Sequence, residues 1–259
     1  MKLNIVPART GLLWVKLGIR TFIKQPLALA GLFFLYMTAV IAVAQVPQIG
    51  VIVGGLLVPA ATLGLMAATE EAVKGRFPMP SVLLSAFRAG RQRARAMLLL
   101  GVIYTVGSLI ATRLAVLIAG EQPAAEGEFD VTGLLALVLH TPLFLMFWHA
   151  PALVHWHGVT PVKSLFFSLV ACIKNFGAFA LYGLGWLGVF LAVGTVFALL
   201  GGLIGGPTMA RAMMMPVALL MAAMFSTSIY FTFRDCFVAT PEPDSEPEPE
   251  PPPDPQESP

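Results

Sequence analysis

PLFLMFWHAPALVHWHGVTPVKSLFFSLVACIKN, residues 142–175, decides the fold, because the chain has already used its pattern once. Residues 59–92 read PAATLGLMAATEEAVKGRFPMPSVLLSAFRAGRQ. Pro59, Gly75, Pro78, Ser81, Ser85, Arg91 and Gln92 recur at identical offsets as Pro142, Gly158, Pro161, Ser164, Ser168, Lys174 and Asn175. The shared pattern is P-x15-G-x2-P-x2-S-x3-S-x5-[KR]-[NQ], and a long apolar run follows each copy. A truncated third copy ends at Lys24-Gln25, again just before an apolar run. Repeats at this scale report repeated supersecondary units. The chain is therefore expected to be built from three similar modules.

Composition identifies the solvent. Of 259 residues, 57% are hydrophobic and 12% charged, against roughly 25% charged in soluble domains. A surface this apolar calls for a bilayer. The formal charge of +2 hides a division: residues 241–259 hold seven acids and no base, so the remainder has sixteen bases against seven acids. Such a surplus on an apolar body suits anionic lipid. Nucleic acid is not expected as a partner, since no polar, foldable domain accompanies the bases.

The runs long enough to cross a bilayer are 27–46, 51–68, 97–119, 131–154, 177–203 and 213–233. About 20 apolar residues suffice for one crossing. The expected fold is all-α, with six transmembrane helices in three hairpins. A cytoplasmic interfacial amphipathic helix should precede each hairpin. Residues 1–239 would form one integral membrane domain. Residues 240–259, nine prolines and seven acids with almost nothing apolar, should be a disordered cytoplasmic tail. It could bind a basic cytoplasmic partner or fold back on the basic helices.

Lys and Arg in the short loops give the orientation. The N-terminal segment has five, residues 69–95 have six and residues 155–175 have Lys163 and Lys174; the opposite loops contribute only Arg211. Both termini are expected in the cytoplasm. If residues 11–24 are helical, Arg9, Lys16, Arg20 and Lys24 fall within about 80° of one another. Trp14, Val15, Gly18, Ile19 and Phe22 face the other way, as in a helix lying in the headgroup layer. Arg88, Arg91 and Arg95 should likewise share a helical face. With Lys174, these bases are the candidate lipid contacts.

Four histidines, His140, His149, His155 and His157, crowd into eighteen residues. Their spacings do not place ligands together on one helix face, and no Cys, Asp or Glu lies among them. No metal, haem or other cofactor is expected. A pathway past His140 and His149 between the hairpins is the alternative, which would make the protein a small transporter or channel. Cys172 and Cys236 are expected as packing thiols. GxxxG spacings at Gly50/Gly54, Gly201/Gly205 and Gly202/Gly206 are expected to permit close helix approach inside the protomer, with a homo-oligomer face as the alternative. No phosphate-binding glycine loop, HExxH, GxSxG or intramembrane carboxylate pair occurs, so no enzymatic activity is expected.

Several local motifs together resemble a family of bacterial multi-pass inner-membrane proteins with no assigned activity. They are Val6-Pro7-Ala8-Arg9-Thr10-Gly11 with Trp14, Gln25-Pro26-Leu27, Ala150-Pro151-Ala152-Leu153-Val154 with Trp156-His157, and Leu165-Phe166-Phe167-Ser168 with Asn175 and Tyr182-Gly183. The resemblance covers most of residues 3–235 and implies an inner-membrane location without a substrate or catalytic residues. The arrangement is also similar, more weakly, to the six-helix membrane region attached to some glycerophosphodiester phosphodiesterases. Their catalytic domain has no counterpart in these residues, so no activity is implied. The expectation is a structural or accessory inner-membrane protein contacting anionic lipid.

Overall fold

The computed structural model describes residues 2–47, 49–120 and 130–238. The proline-rich acidic tail and most of the acidic loop before residue 130 lie outside the described residues. Helices dominate, in the order α1 Thr10–Lys24, α2 Pro26–Ala44, α3 Gly50–Val73, a 3-10 turn Pro80–Leu84, α4 Ser85–Arg88, α5 Arg91–Ala119, α6 Val131–Phe147, α7 Ala150–His157, α8 Pro161–Lys174 and α9 Phe176–Cys236. A two-residue strand β1, Lys2–Leu3, pairs antiparallel with β2, Phe237–Val238.

Five helical stretches are long and apolar enough to cross a membrane: Pro26–Ala44, Gly50–Val73, Arg91–Ala119, Val131–His157 and Phe176–Cys236. Their outward apolar residues, including Leu27, Leu137, Leu191 and Leu203, are exposed. Only an apolar solvent makes that arrangement favourable.

The last stretch has 61 residues, about 90 Å if straight and roughly three times the thickness of a bilayer core. It is not straight. Gly205 (φ −145°, ψ 18°) and Gly206 (φ 71°, ψ −165°) leave helical geometry, and only glycine reaches the second conformation without strain. Pro207 then restarts the helix. The halves run antiparallel: a Cβ on Gly201 would sit 2.6 Å from Ala210 Cα, and Tyr182 and Trp186 both hydrogen-bond Ser228.

The repeat is visible in the backbone, although its copies fold unequally. Gly75 and Gly158 both take a left-handed φ, +75° and +63°, as chain reversal after a helix requires. In the second copy Pro161 opens the continuous helix α8. In the first, the expected amphipathic helix is instead a 3-10 turn and the four-residue α4, ended by Gly90 at φ +99°. An extra proline, Pro80, starts that turn. Arg88 therefore lies on a different helix from Arg91 and Arg95, and the three do not share a helical face.

A second correction concerns α1. Its apolar face is covered by protein. Trp14, Val15, Gly18 and Phe22 are buried, with Trp14 against Phe179 and Tyr182 of α9. Two glycines make the contact close: a Cβ on Gly11 would fall 2.0 Å from Ala178 O, and one on Gly18 2.4 Å from Ser228 Cβ. The GxxxG positions divide similarly. Gly50 packs against Val43 and Ala44, and Gly201 against Ala210, whereas Gly54 and Gly202 meet nothing within 4 Å.

Candidate functional site

The backbone places a basic ridge beside an apolar furrow. With one face of α1 closed against α9, Lys16, Arg20 and Lys24 are left exposed at successive turns, about 6 Å apart along the axis. They line a groove of about 690 Å³ between α1 and the first half of α9. Its other walls are Leu12, Val15, Ile19 and Ile23 of α1 and Gly185 and Val189 of α9. Among the described residues no acidic side chain lines it. Among the described residues Lys16, Arg20 and Lys24 form no ion pair. Long basic side chains above apolar walls suit a ligand with an anionic head and a hydrocarbon body.

A second cleft, of about 280 Å³, opens on the other side of the same ridge. Arg20 and Lys24 line both clefts, and the second adds Phe231 and Arg234. The Arg234 guanidinium stands 5.0 Å from the Phe231 ring centroid, and its Nε donates to Asp235 Oδ1 at 2.8 Å. Asp235 Oδ2 accepts from Trp14 Nε1 at 2.9 Å. One carboxylate thus ties the end of α9 to α1. Arg234 and Asp235 were not foreseen from the sequence; a base closing the final apolar run was the available signal.

The remaining candidate contacts are scattered. Arg9 is exposed just before α1, and Lys174 is exposed in the last turn of α8. Arg88, Arg91 and Arg95 are exposed around the Gly90 break. Arg93, rather than Arg91 or Arg95, lines a separate cleft of about 330 Å³ with Gln92, Gly158, Val159, Thr160 and Pro161.

The histidines do not converge. His140 is partly buried; its Nδ1 lies 2.7 Å from Ala136 O and its Nε2 3.1 Å from Ser108 Oγ of α5. The carbonyl can only accept, so Nδ1 carries a proton and Nε2 pairs with the Ser108 hydroxyl. His149 is 0% exposed and belongs to a different cluster. Thr232 donates to Ile229 O at 2.7 Å, so its oxygen accepts both Trp148 Nε1–H at 2.9 Å and His149 Nε2–H at 3.2 Å. His149 Nδ1 has no partner among the described residues; its ring sits among Phe179, Phe233 and Phe237. The two histidines, nine positions apart, are separated by about 13 Å of helical rise and share no hydrogen-bond partner. Among the described residues no three of His, Cys, Asp and Glu gather as metal ligands.

His149 marks a helix break instead. Between α6 and α7 its backbone N–H donates to Ser168 Oγ at 3.0 Å, and that hydroxyl donates to Leu145 O at 2.8 Å. Ser168 thus satisfies groups that the break releases. Cys172, one turn further along α8, is buried on the same face, and burial pushes its thiol up to about 12. Cys236 is also buried, and both thiols are free.

Asn175 closes the basal surface. Its Oδ1 accepts from Val6 N at 2.8 Å, and its Nδ2 donates to Asn4 O and Ala171 O, each at 3.1 Å. The N-terminal segment before α1 is a strap held by this amide, by the β1–β2 pair, and by Asn4, whose backbone N–H donates to Cys236 O at 2.8 Å and whose Nδ2 donates to Asp235 O at 2.9 Å.

The chain is 36% identical over 254 residues to a probable inner membrane protein of Burkholderia thailandensis, with 92% of this chain and 94% of that protein covered. No family model matches, and no solved structure matches.

Proposed function

Because the chain belongs to the family of the Burkholderia thailandensis probable inner membrane protein, we propose that it is a non-enzymatic structural or accessory component of the inner membrane that binds anionic lipid along α1. The observation carrying this reading is the groove in which Lys16, Arg20 and Lys24 border walls formed by Leu12, Ile19, Ile23 and Val189. A phospholipid offers the matching halves, a phosphate for the bases and an acyl chain for the walls. Each base near an anionic surface contributes about 1 kcal/mol, so three in one row favour an anionic over a neutral head on the order of a hundredfold, with the apolar walls adding acyl-chain contact.

In the full reading, six spans form three hairpins with both termini cytoplasmic. The break at Gly205 and Gly206, which turns the 61-residue stretch into an antiparallel pair, supports the sixth span. The excess of Lys and Arg in the segments before α2, α5 and α9 supports the orientation.

The test is native mass spectrometry of the full chain released from gentle detergent. Wild type should carry phosphatidylglycerol-type lipid, and a Lys16→Gln/Arg20→Gln/Lys24→Gln variant should lose most of it. Unchanged lipid in the variant would overturn the assignment.

A further inference from the structure

The ridge has two sides. Around α1, Leu12, Lys16 and Ile23 face the larger groove, while Leu17 and Thr21 face the smaller cleft. Arg20 and Lys24 stand between and line both. The smaller cleft has its own base, Arg234, and its own apolar walls in Ala72, Val73 and Phe231. Asp235 engages Nε of Arg234, and among the described residues the Nη groups make no hydrogen bond. The other nearby acids are already engaged: Glu70 with Lys74 at 2.6 Å and Glu71 with Arg76 at 2.5 Å.

Resting on the lipid reading above, we infer that the ligand is a phospholipid with two phosphates and two pairs of acyl chains, of the diphosphatidylglycerol class, straddling the Arg20–Lys24 ridge. One phosphate lies with Lys16 and Arg20 over the larger groove. The other lies with Lys24 and Arg234 over the smaller cleft, where the Arg234 fork can take two oxygens at once. Acyl chains follow the apolar walls on each side. A single-phosphate lipid satisfies only one side and leaves the other bases without an anion. Cation charge on both flanks of one helix, with hydrocarbon-lined space on each, matches a doubly headed lipid.

The experiment uses the full chain, delipidated and incubated at equal total lipid charge with either phosphatidylglycerol or diphosphatidylglycerol, then read by native mass spectrometry. Wild type should retain one diphosphatidylglycerol per chain in preference to phosphatidylglycerol. Arg234→Gln should lower diphosphatidylglycerol retention roughly fivefold, the factor expected for one surface base, and leave phosphatidylglycerol unchanged; Arg234→Lys, which keeps the charge without the fork, should restore part of the retention. Equal retention of the two lipids, or no effect of Arg234→Gln, would overturn the two-phosphate inference. If Lys16→Gln/Arg20→Gln/Lys24→Gln retains both lipids at wild-type levels, the groove itself is the wrong site. If that variant loses both while wild type never distinguishes them, only the two-phosphate inference fails.

Discussion

Trp14 donates its indole N–H to the carboxylate of Asp235 across 221 positions of sequence. The bond joins the first helix to the last, and the indole is 0% exposed. Trp14→Phe keeps most of the packing and deprives Asp235 of a donor. It should cost about 1–2 kcal/mol, while Trp14→Ala should cost about 3–5 kcal/mol. Thermal unfolding in detergent, followed by circular dichroism, should rank wild type above Trp14→Phe above Trp14→Ala.

Ser168 and Ser85 occupy the same place in the repeat and carry different loads. Ser168 bridges His149 N and Leu145 O across a buried helix break. Among the described residues Ser85 Oγ bonds only the carbonyl of Val82, in its own turn. Ser168→Ala leaves a buried N–H without a partner and should destabilise by about 1–3 kcal/mol. Ser85→Ala should change stability by less than about 0.5 kcal/mol. Paired thermal melts would show the difference, and equal shifts would contradict the bridging role.

Asn175→Ala removes an acceptor for Val6 N and a donor to Asn4 O. What remains is the β1–β2 pair, two residues per strand, and the two Asn4 bonds to Asp235 O and Cys236 O, a short attachment that leaves residues 5–9 without a tether to α8. Limited trypsin digestion should then cut at Lys2 and Arg9 several-fold faster than in wild type, with the helices intact. An unchanged cleavage rate would show that the strap is held elsewhere.

Burial pushes the Cys172 thiol up to about 12. A raised folded-state value means that less thiolate, the reactive form, is present at every pH below it. In a Cys236→Ala background, maleimide labelling of the folded protein should stay slow from pH 7 to 9. The rate should rise by orders of magnitude once detergent or denaturant exposes the thiol. Fast labelling of folded protein at pH 8 would place Cys172 at the surface.

Much of this architecture was legible in the residues. Apolar run lengths located helices long and apolar enough to cross a membrane, and equal offsets made Gly75 and Gly158 equivalent, as their shared left-handed φ bears out. Helix continuity was harder to read. One added proline, Pro80, and the positive φ of Gly90 broke the first copy's connecting helix, separating Arg88 from Arg91. The partner of α1 was illegible for a physical reason. Periodicity marks Trp14, Val15, Gly18 and Phe22 as a face that avoids water, and lipid and protein satisfy that requirement alike. Gly11 and Gly18 held the clue, since small residues on such a face permit close backbone approach; the side chain that fills the space comes from the far end of the sequence. Lys16, Arg20 and Lys24 were readable as one stripe, but the second cleft beside them required Arg234.

The docking of α1 on α9 also fixes a schedule. Gly11, Trp14 and Gly18 are translated long before Ala178, Ser228 and Asp235, which receive them. At about 5–20 residues per second, roughly 10–45 s pass before Asp235 exists for Trp14 to reach. During that interval an apolar, tryptophan-bearing helix waits beside the nascent membrane segments with its partner surface unmade. α1 is made before the surface that seats it, so this part of the protein cannot close until the ribosome has passed Asp235.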